Sequence, residues 1–375
     1  MSVEEASHGE EVAAAVADDG AVDELLTRYR RSRTTTYLGL AVAIVLLAAI
    51  GLLPVPYIRL SPGPMYNTLG SYDGVDLITI TGTQTYPTSG ELDLMTVTER
   101  GGPFGGLTLP EAFLGWFNHD NLVVPVEALY SPQKSSEEAK HENLAAFTSS
   151  ESSAVAASLS YLKIPVTTSV VVMVVVKDGP SDGKLKNGDI INTVGGKPVT
   201  SADQLPSVVR INPPGATVQF GITRDGQPMT VPIVLGKSPK DPALGFAGIQ
   251  AGNNYSGPFT IKFGLESVGG PSAGLMFSLG IIDKLTPDNL NDGKLVAGTG
   301  TMDAMGSVGP IGGMQQKLAA ARDRGAALFL VPEKNCPDVR DFASSSLNVA
   351  KVKTLTEAVD VLNRWRSGAT DLPRC

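Results

Sequence analysis

No histidine follows His141 in this 375-residue sequence, and only His8 and His119 precede it. A serine nucleophile in the second half therefore has no later histidine to serve as its base. There are only two cysteines, Cys336 and Cys375, and no Cys/His spacing that would cage zinc, so no metal site and no cofactor are expected. Basic residues are outnumbered, 30 Lys and Arg against 38 Asp and Glu. A net charge of −8 argues against nucleic acid as a partner, because phosphate binding needs a concentrated basic surface. The chain also lacks the G-x-x-x-x-G-K-[ST] loop that cradles nucleotide phosphates, and any internal repeat at a solenoid period.

What is present begins with an apolar run. Between Arg33 and Arg59 there is no charged residue, and Tyr37 to Leu53 is almost wholly hydrophobic. Seventeen helical residues reach roughly 26 Å, so with its uncharged flank the run is long enough to cross a bilayer. A globular core helix would show a polar face, which is missing here. A cleaved signal would end in a small-x-small site, whereas the run continues into Leu53-Pro-Val-Pro-Tyr57. Arg28, Arg30, Arg31 and Arg33 precede the span and place the N-terminus in the cytoplasm, the remainder outside. The expectation is an uncleaved single-pass anchor at 37–56 behind a mostly disordered cytoplasmic tail, 1–36.

Residues 57–165 form a membrane-proximal region with no legible chemistry. Val75–Ile80 and Leu92–Val97 are β-prone, whereas Ser135–Phe147 and Ser152–Leu162 have helical composition, with Ser149 or Ser150 as a cap between them. Val170–Val176 is a β-branched run expected to be buried on both faces. The turn-rich stretches that follow are Val176-Lys-Asp-Gly-Pro-Ser181, Leu185-Lys-Asn-Gly-Asp-Ile-Ile191 and Val194-Gly-Gly-Lys-Pro-Val199. A helix near Ser201–Arg210 and strands at Thr217–Arg224 and Met229–Leu235 complete a segment, 166–236, that resembles a bacterial PDZ domain. That resemblance implies a β-rich fold and capture of extended peptides at a sheet edge. Its loop for a terminal carboxylate is poorly matched by Tyr161-Leu-Lys-Ile164.

The most informative segment is Gly269-Gly-Pro-Ser-Ala-Gly274. Ser272 stands at the mouth of a helical pattern, Ala273 to Leu285, where backbone N–H groups lack intrahelical partners and suit an oxyanion. Gly270, Pro271 and Ala273 are the backbone candidates for that role. A glycine-rich turn with a capping serine is the plainer alternative. The same residues fit the G-x-S-x-G elbow, but that arrangement requires an acid and then a histidine after the serine. Lysine is the next base to consider. Lys317, in Gly309-Pro-Ile-Gly-Gly-Met-Gln-Gln-Lys317, opens a second helical pattern among Ile311, Met314, Leu318 and Ala321. A helix N-terminus and apolar neighbours both favour the neutral amine. A solvated surface lysine is the plain alternative.

Taken together, Gly269–Gly274, Ala297-Gly-Thr-Gly-Thr301, Gly306-Ser-Val-Gly-Pro-Ile-Gly-Gly313, Lys317 and Phe329-Leu-Val-Pro332 resemble the proteolytic domain of Lon proteases, over about Phe259 to Trp365. The resemblance implies Ser272 as nucleophile, Lys317 as general base and Thr299 as the hydroxyl that orients the lysine amine. Two departures are evident. Ser267-Val-Gly-Gly270 stands where Lon enzymes often carry a Lys-Asp pair, and the ATPase motif is absent. Nearly the whole chain resembles the membrane-anchored PDZ–Lon peptidases of bacteria.

The implied protein is multi-domain α+β: a transmembrane helix, a PDZ-like β-rich domain and a Lon-type α/β proteolytic domain at 237–375. Its implied activity is ATP-independent serine endopeptidase action on unfolded or flexible proteins outside the membrane. By analogy it forms a homo-oligomer, a hexamer. A catalytically silent PDZ adaptor that presents or sequesters peptides is the competing reading. In this topology Cys336 and Cys375 lie where disulfides are permitted, and either a bridge or two free thiols is open.

Overall fold

The computed structural model describes residues 19–130, 136–265, 268–340 and 347–375. The first element, α1 (Asp19–Leu52), forms because no proline interrupts the chain before Pro54. The hydroxyls of Thr27, Thr34 and Thr36 donate to the carbonyls of Asp23, Arg30 and Ser32, so these polar side chains are satisfied within the helix. The disordered tail expected through residue 36 is thus replaced by helix from Asp19 onward; residues 1–18 lie outside the described part. Within α1, Thr27–Leu52 is 26 residues long and holds an apolar stretch with no buried residue, long and apolar enough to span a membrane. The helix stops short of the expected residue 56 because Pro54 and Pro56 cannot continue it.

Next come β1 (Tyr57–Asn67), β2 (Ile78–Thr81), β3 (Glu91–Gly101), α2 (Leu109–Phe117) and β4 (Leu122–Pro125). They are followed by a single long helix, α3 (Ser136–Tyr161), where two helices with a serine cap were expected. The cap is not needed because Ser150 and Ser152 spend their hydroxyls on distant backbone. Ser150 donates to the Pro271 carbonyl at 2.9 Å, and Ser152 accepts from the Tyr255 N–H at 2.8 Å. Ser135 and Ser267 lie outside the described residues.

The middle of the chain is an antiparallel sheet built from β5 (Thr167–Val175), β6 (Ile190–Val194), β7 (Thr217–Arg224), β8 (Gln227–Val234) and β9 (Ile249–Ser256), with the short helix α4 (Leu205–Arg210) against it. Its strand order is β8-β7-β6-β5-β9. Burial alternates along β5: Val170, Val172 and Val174 point into the core, while Val171 and Met173 are only half covered. The expectation of burial on both faces is corrected, because an antiparallel sheet packs a core on one side. Asp225 and Gly226, both at positive φ, make the two-residue turn between β7 and β8. β9 pairs with β5 from Ile249↔Val175 to Ser256↔Thr167, so this unit extends past the boundary expected at 236.

The chain returns through β10 (Thr260–Phe263), α5 (Gly274–Leu285), β11 (Leu295–Gly298), α6 (Met314–Arg324), β12 (Leu328–Pro332), β13 (Val349–Val352) and α7 (Leu355–Arg366). Here a second sheet, of six strands, appears in the order β13-β12-β11-β3-β1-β4. The first four strands are parallel; β1 runs antiparallel to both β3 and β4. Glu91–Leu94 lies beside Leu295–Gly298, so the strands of 57–125 are built into the same sheet as the C-terminal residues. The expected separation of a membrane-proximal region, 57–165, from a C-terminal unit, 237–375, does not follow the hydrogen bonding. The pleat of this sheet sends Leu92, Leu94, Val296, Leu328 and Leu330 to the side of α3, α5 and α7. Met95, Ala297, Phe329 and Val331 face α6 on the other side.

Candidate functional site

The two helices on opposite faces meet at the carboxyl ends of the parallel strands, the usual place for a site in such sheets. Ser272 lies in the turn that enters α5. Gly270 adopts a positive φ of 85°, which a side-chain-bearing residue takes only at a cost. At the first residue of α5 a Cβ on Gly274 would stand 2.7 Å from Cβ of Met302 and 2.8 Å from Oγ of Ser150. The turn is pinned from several sides. Gly270 N–H donates to the Asn143 carbonyl at 2.8 Å, Ser150 holds the Pro271 carbonyl, and Gly300 N–H donates to the Ser272 carbonyl at 3.0 Å.

Lys317 comes from the other face, in the first turn of α6. Gly313 caps that helix in the left-handed region, and a Cβ there would also run into Val97 at 2.6 Å. The Lys317 side chain is only 2% exposed. Its Nζ is 2.8 Å from Oγ of Ser272 and 3.0 Å from Oγ1 of Thr299. Thr299, fully buried just past the end of β11, donates its own hydroxyl to the Ser272 carbonyl at 3.2 Å. The structure thus brings together all three polar side chains singled out in the sequence. Among the described residues no ion pair balances the amine; burial pushes its pKa from 10.5 down to about 7. A neutral amine at this distance has a lone pair able to accept the Ser272 hydroxyl proton.

The backbone candidates divide. Pro271 has no N–H to offer, and the Gly270 N–H is already committed to Asn143. The N–H groups of Ser272 and Ala273 donate to no backbone carbonyl among the described residues and adjoin the start of α5. Of the residues named beforehand, only Ala273 keeps an N–H available for an oxyanion, joined by that of Ser272 itself.

Two adjoining hollows, about 830 and 300 Å³, are both lined by Ser272 and Lys317. The larger is walled by Leu60, Phe104, Leu122 and Leu129, with Glu99 and Tyr130 as polar groups. Tyr130 donates its hydroxyl to Glu99 at 2.8 Å; burial, and then this acceptor, push the phenol above its ordinary pKa. These wall residues come from the region in which the sequence revealed no chemistry. Nor did any local motif mark Asn143 or Ser150, whose partners lie more than a hundred positions away. His119 and His141 are exposed, and neither is bonded to Ser272. Cys336 and Cys375 form a disulfide with Cα atoms 5.1 Å apart. No group of three or more His, Cys, Asp or Glu able to hold a metal occurs among the described residues.

Comparison with known proteins matches two segments of the chain. Residues 144–235 match the PDZ domain family, and residues 264–365 match the Lon protease (S16) C-terminal proteolytic domain. The Lon protease of Mycolicibacterium smegmatis is 33% identical over 97 residues, covering 25% of this chain and 12% of that protein. The Lon protease of Orientia tsutsugamushi is 36% identical over 96 residues, again covering 25% of this chain and 12% of the relative. The chain thus spans only about an eighth of the length of these curated relatives. Among solved structures, the PDZ domain of an SdrC-like protein from Listeria monocytogenes is 24% identical with a TM-score of 0.20, covering 22% of this chain and 85% of that one. A solution structure from Geobacillus thermodenitrificans is 31% identical with a TM-score of 0.19, covering 20% and 88%. Behind one apolar helix long enough to cross a membrane, the chain therefore carries a PDZ domain and the proteolytic domain of the Lon proteases.

Proposed function

We propose that this protein is a serine endopeptidase in which Ser272 is the nucleophile and Lys317 the general base. The carrying observation is the buried Lys317 amine 2.8 Å from the Ser272 hydroxyl, with Thr299 placed to orient it. In the forward step the Ser272 proton passes to Nζ as Oγ attacks the substrate carbonyl carbon. The oxyanion is held by the N–H groups of Ser272 and Ala273. Collapse breaks the C–N bond, and the Lys317 ammonium returns its proton to the leaving amine. Water, deprotonated by the same amine, then attacks the acyl carbon, and the bond to Oγ breaks as Nζ returns the proton to Ser272.

The substrates are flexible or unfolded chains, and hydrolysis proceeds without ATP; in support, no nucleotide-binding loop occurs within these 375 residues. The PDZ domain presents peptide segments to the cleft. The proteolytic unit comprises both 57–125 and 260–375, since they share a sheet. It stands outside the membrane on a single N-terminal helix, in keeping with the arginines that precede the span, and assembles as a homo-oligomer, a hexamer by analogy.

The test uses the full chain in detergent micelles with an unstructured protein such as reduced casein. Wild type cleaves it, while Ser272→Ala and Lys317→Ala lose roughly 10³-fold or more. Equal cleavage by all three would sink the proposal. A wild type that binds peptide but never cleaves it would return the chain to the adaptor reading.

A further inference from the structure

Helix α2, Leu109-Pro-Glu-Ala-Phe-Leu-Gly-Trp-Phe117, inverts the usual amphipathic arrangement. A surface helix normally turns its large apolar side chains inward and its polar ones to water. Here the buried residues are the two smallest, Ala112 and Gly115. A Cβ on Gly115 would stand 2.8 Å from Val123 and 3.1 Å from Arg59, so the helix backbone lies directly on β1 and β4. The large residues point away. Phe113 is 53% exposed, Leu114 67%, Trp116 53% and Phe117 68%. The one charged side chain, Glu111, is turned back to the helix start, accepting from the Thr108 N–H and hydroxyl and pairing with Arg100 at 2.9 Å. An exposed apolar face of this kind on a folded unit marks an interaction surface.

The occupant follows from where the helix is fixed. Pro54 and Val55, just beyond α1, pair with Thr108 and Leu107, just before α2. Pro110 is in contact with the last turn of α1: a Cβ on Gly51 would lie 3.7 Å from its Cγ. Tyr57 packs edge-on against Trp116, with ring centroids 5.7 Å apart. The bare apolar face is thus tied to the outer end of the apolar helix by strand pairing, the approach of the Pro110 ring to Gly51 and an aromatic pair. Tryptophan and other aromatics gather where acyl chains meet headgroups.

We propose that α2 is an interfacial helix that lies in the outer membrane–water boundary, its Phe113, Leu114, Trp116 and Phe117 side chains dipping into lipid beside the end of α1. The depth reached by such a face is about 5–10 Å. The proposal rests on reading Thr27–Leu52 as a membrane span, and the test separates the two. The full chain with Trp365→Phe retains Trp116 as its only tryptophan. It is reconstituted in phosphatidylcholine vesicles with and without bromine at the headgroup end of the acyl chains. Bromine is expected to remove roughly half of the Trp116 emission, and acrylamide to quench it little.

A second protein carries Leu46→Trp with Trp116→Phe and Trp365→Phe, and reports on the span itself. If Leu46→Trp is quenched by bromolipid and Trp116 is not, the span stands and the interfacial helix is overturned. Trp116 shielded from acrylamide yet untouched by bromolipid assigns the face to a second protein copy, which also overturns it. If neither tryptophan is quenched, the span reading fails and the proposal falls with it.

Discussion

Replacing Lys317 with methionine trades catalysis for stability in a pH-dependent way. Burial brings the folded-state pKa to about 7, against 10.5 for an ordinary lysine. The unfolded chain therefore binds more protons between these values, and wild-type stability rises with pH across that window. Below pH 7 the folded protein bears the full cost of the depressed pKa; above about pH 10.5 it bears none. At 1.36 kcal/mol per pKa unit the cost is about 4 kcal/mol at pH 7 and about 2 kcal/mol at pH 9. Methionine has similar length and no proton to lose, but it forfeits the bonds to Ser272 and Thr299, about 1 kcal/mol net. The variant should then exceed wild type by about 3 kcal/mol at pH 7, and this margin should shrink by about 2 kcal/mol at pH 9. Guanidinium unfolding of the full chain in micelles, followed through Trp365 in a Trp116→Phe background, measures both values. In the wild type, peptide cleavage should rise with pH as the amine loses its proton and level off above about pH 7. A margin that is the same at both pH values, or a cleavage limb centred near the ordinary lysine value, would refute the reasoning.

Ser272→Ala should abolish cleavage while leaving the unfolding midpoint within about 1 kcal/mol of wild type, since only one hydroxyl is lost; a large loss of stability would show that the serine is chiefly structural. Thr299→Val removes the hydroxyl that bridges Lys317 and the Ser272 carbonyl and should lower kcat by roughly 10²-fold, whereas Thr299→Ser restores most of it. A valine variant with unchanged kcat and pH profile would remove Thr299 from its orienting role. In the PDZ domain, buried Asp189 accepts two bonds from Arg224 at 2.6 and 2.7 Å, and Asp189→Ala should destabilise that sheet by about 3 kcal/mol, read by hydrogen exchange of β6 and β7. Reducing the Cys336–Cys375 bridge, which closes a separation of 39 residues, should cost about 4 kcal/mol on the chain-entropy model, and a midpoint unmoved by reductant would contradict it.

The parts of the fold legible in the sequence are those written locally. The apolar run of α1, the helices that follow Ser272 and Gly313, and the strand–turn order of the PDZ domain each depend on neighbours a few residues apart. The meeting of Ser272, Thr299 and Lys317 was expected from the spacing of motifs shared with Lon, not from periodicity alone. What stayed hidden is non-local. Nothing within Leu92–Val97 announces that its strand will lie beside Leu295–Gly298, because that pairing spans about 200 residues. Ser149 or Ser150 looked like a cap because the remote partner of Ser150, the Pro271 carbonyl, cannot be inferred from spacing. The oxyanion candidates needed one further fact, that Asn143 already claims the Gly270 N–H.

The pairing of Thr167 with Ser256 has a consequence for how the protein is put together. The PDZ sheet leaves the rest of the chain and rejoins it through two residues that face each other across one strand pair, roughly 5 Å apart at Cα. To the proteolytic fold, some ninety residues of insertion are therefore topologically equivalent to a hairpin turn. Such an arrangement is a cassette: it can be lengthened, exchanged or replaced by a short linker without altering the path of the strands around the site. The exception is α3, which offers Ser152 to the cassette and Ser150 to the Ser272 turn within a single helical turn. A cassette exchange that ignores that shared helix would leave the turn intact in sequence but unsupported in space.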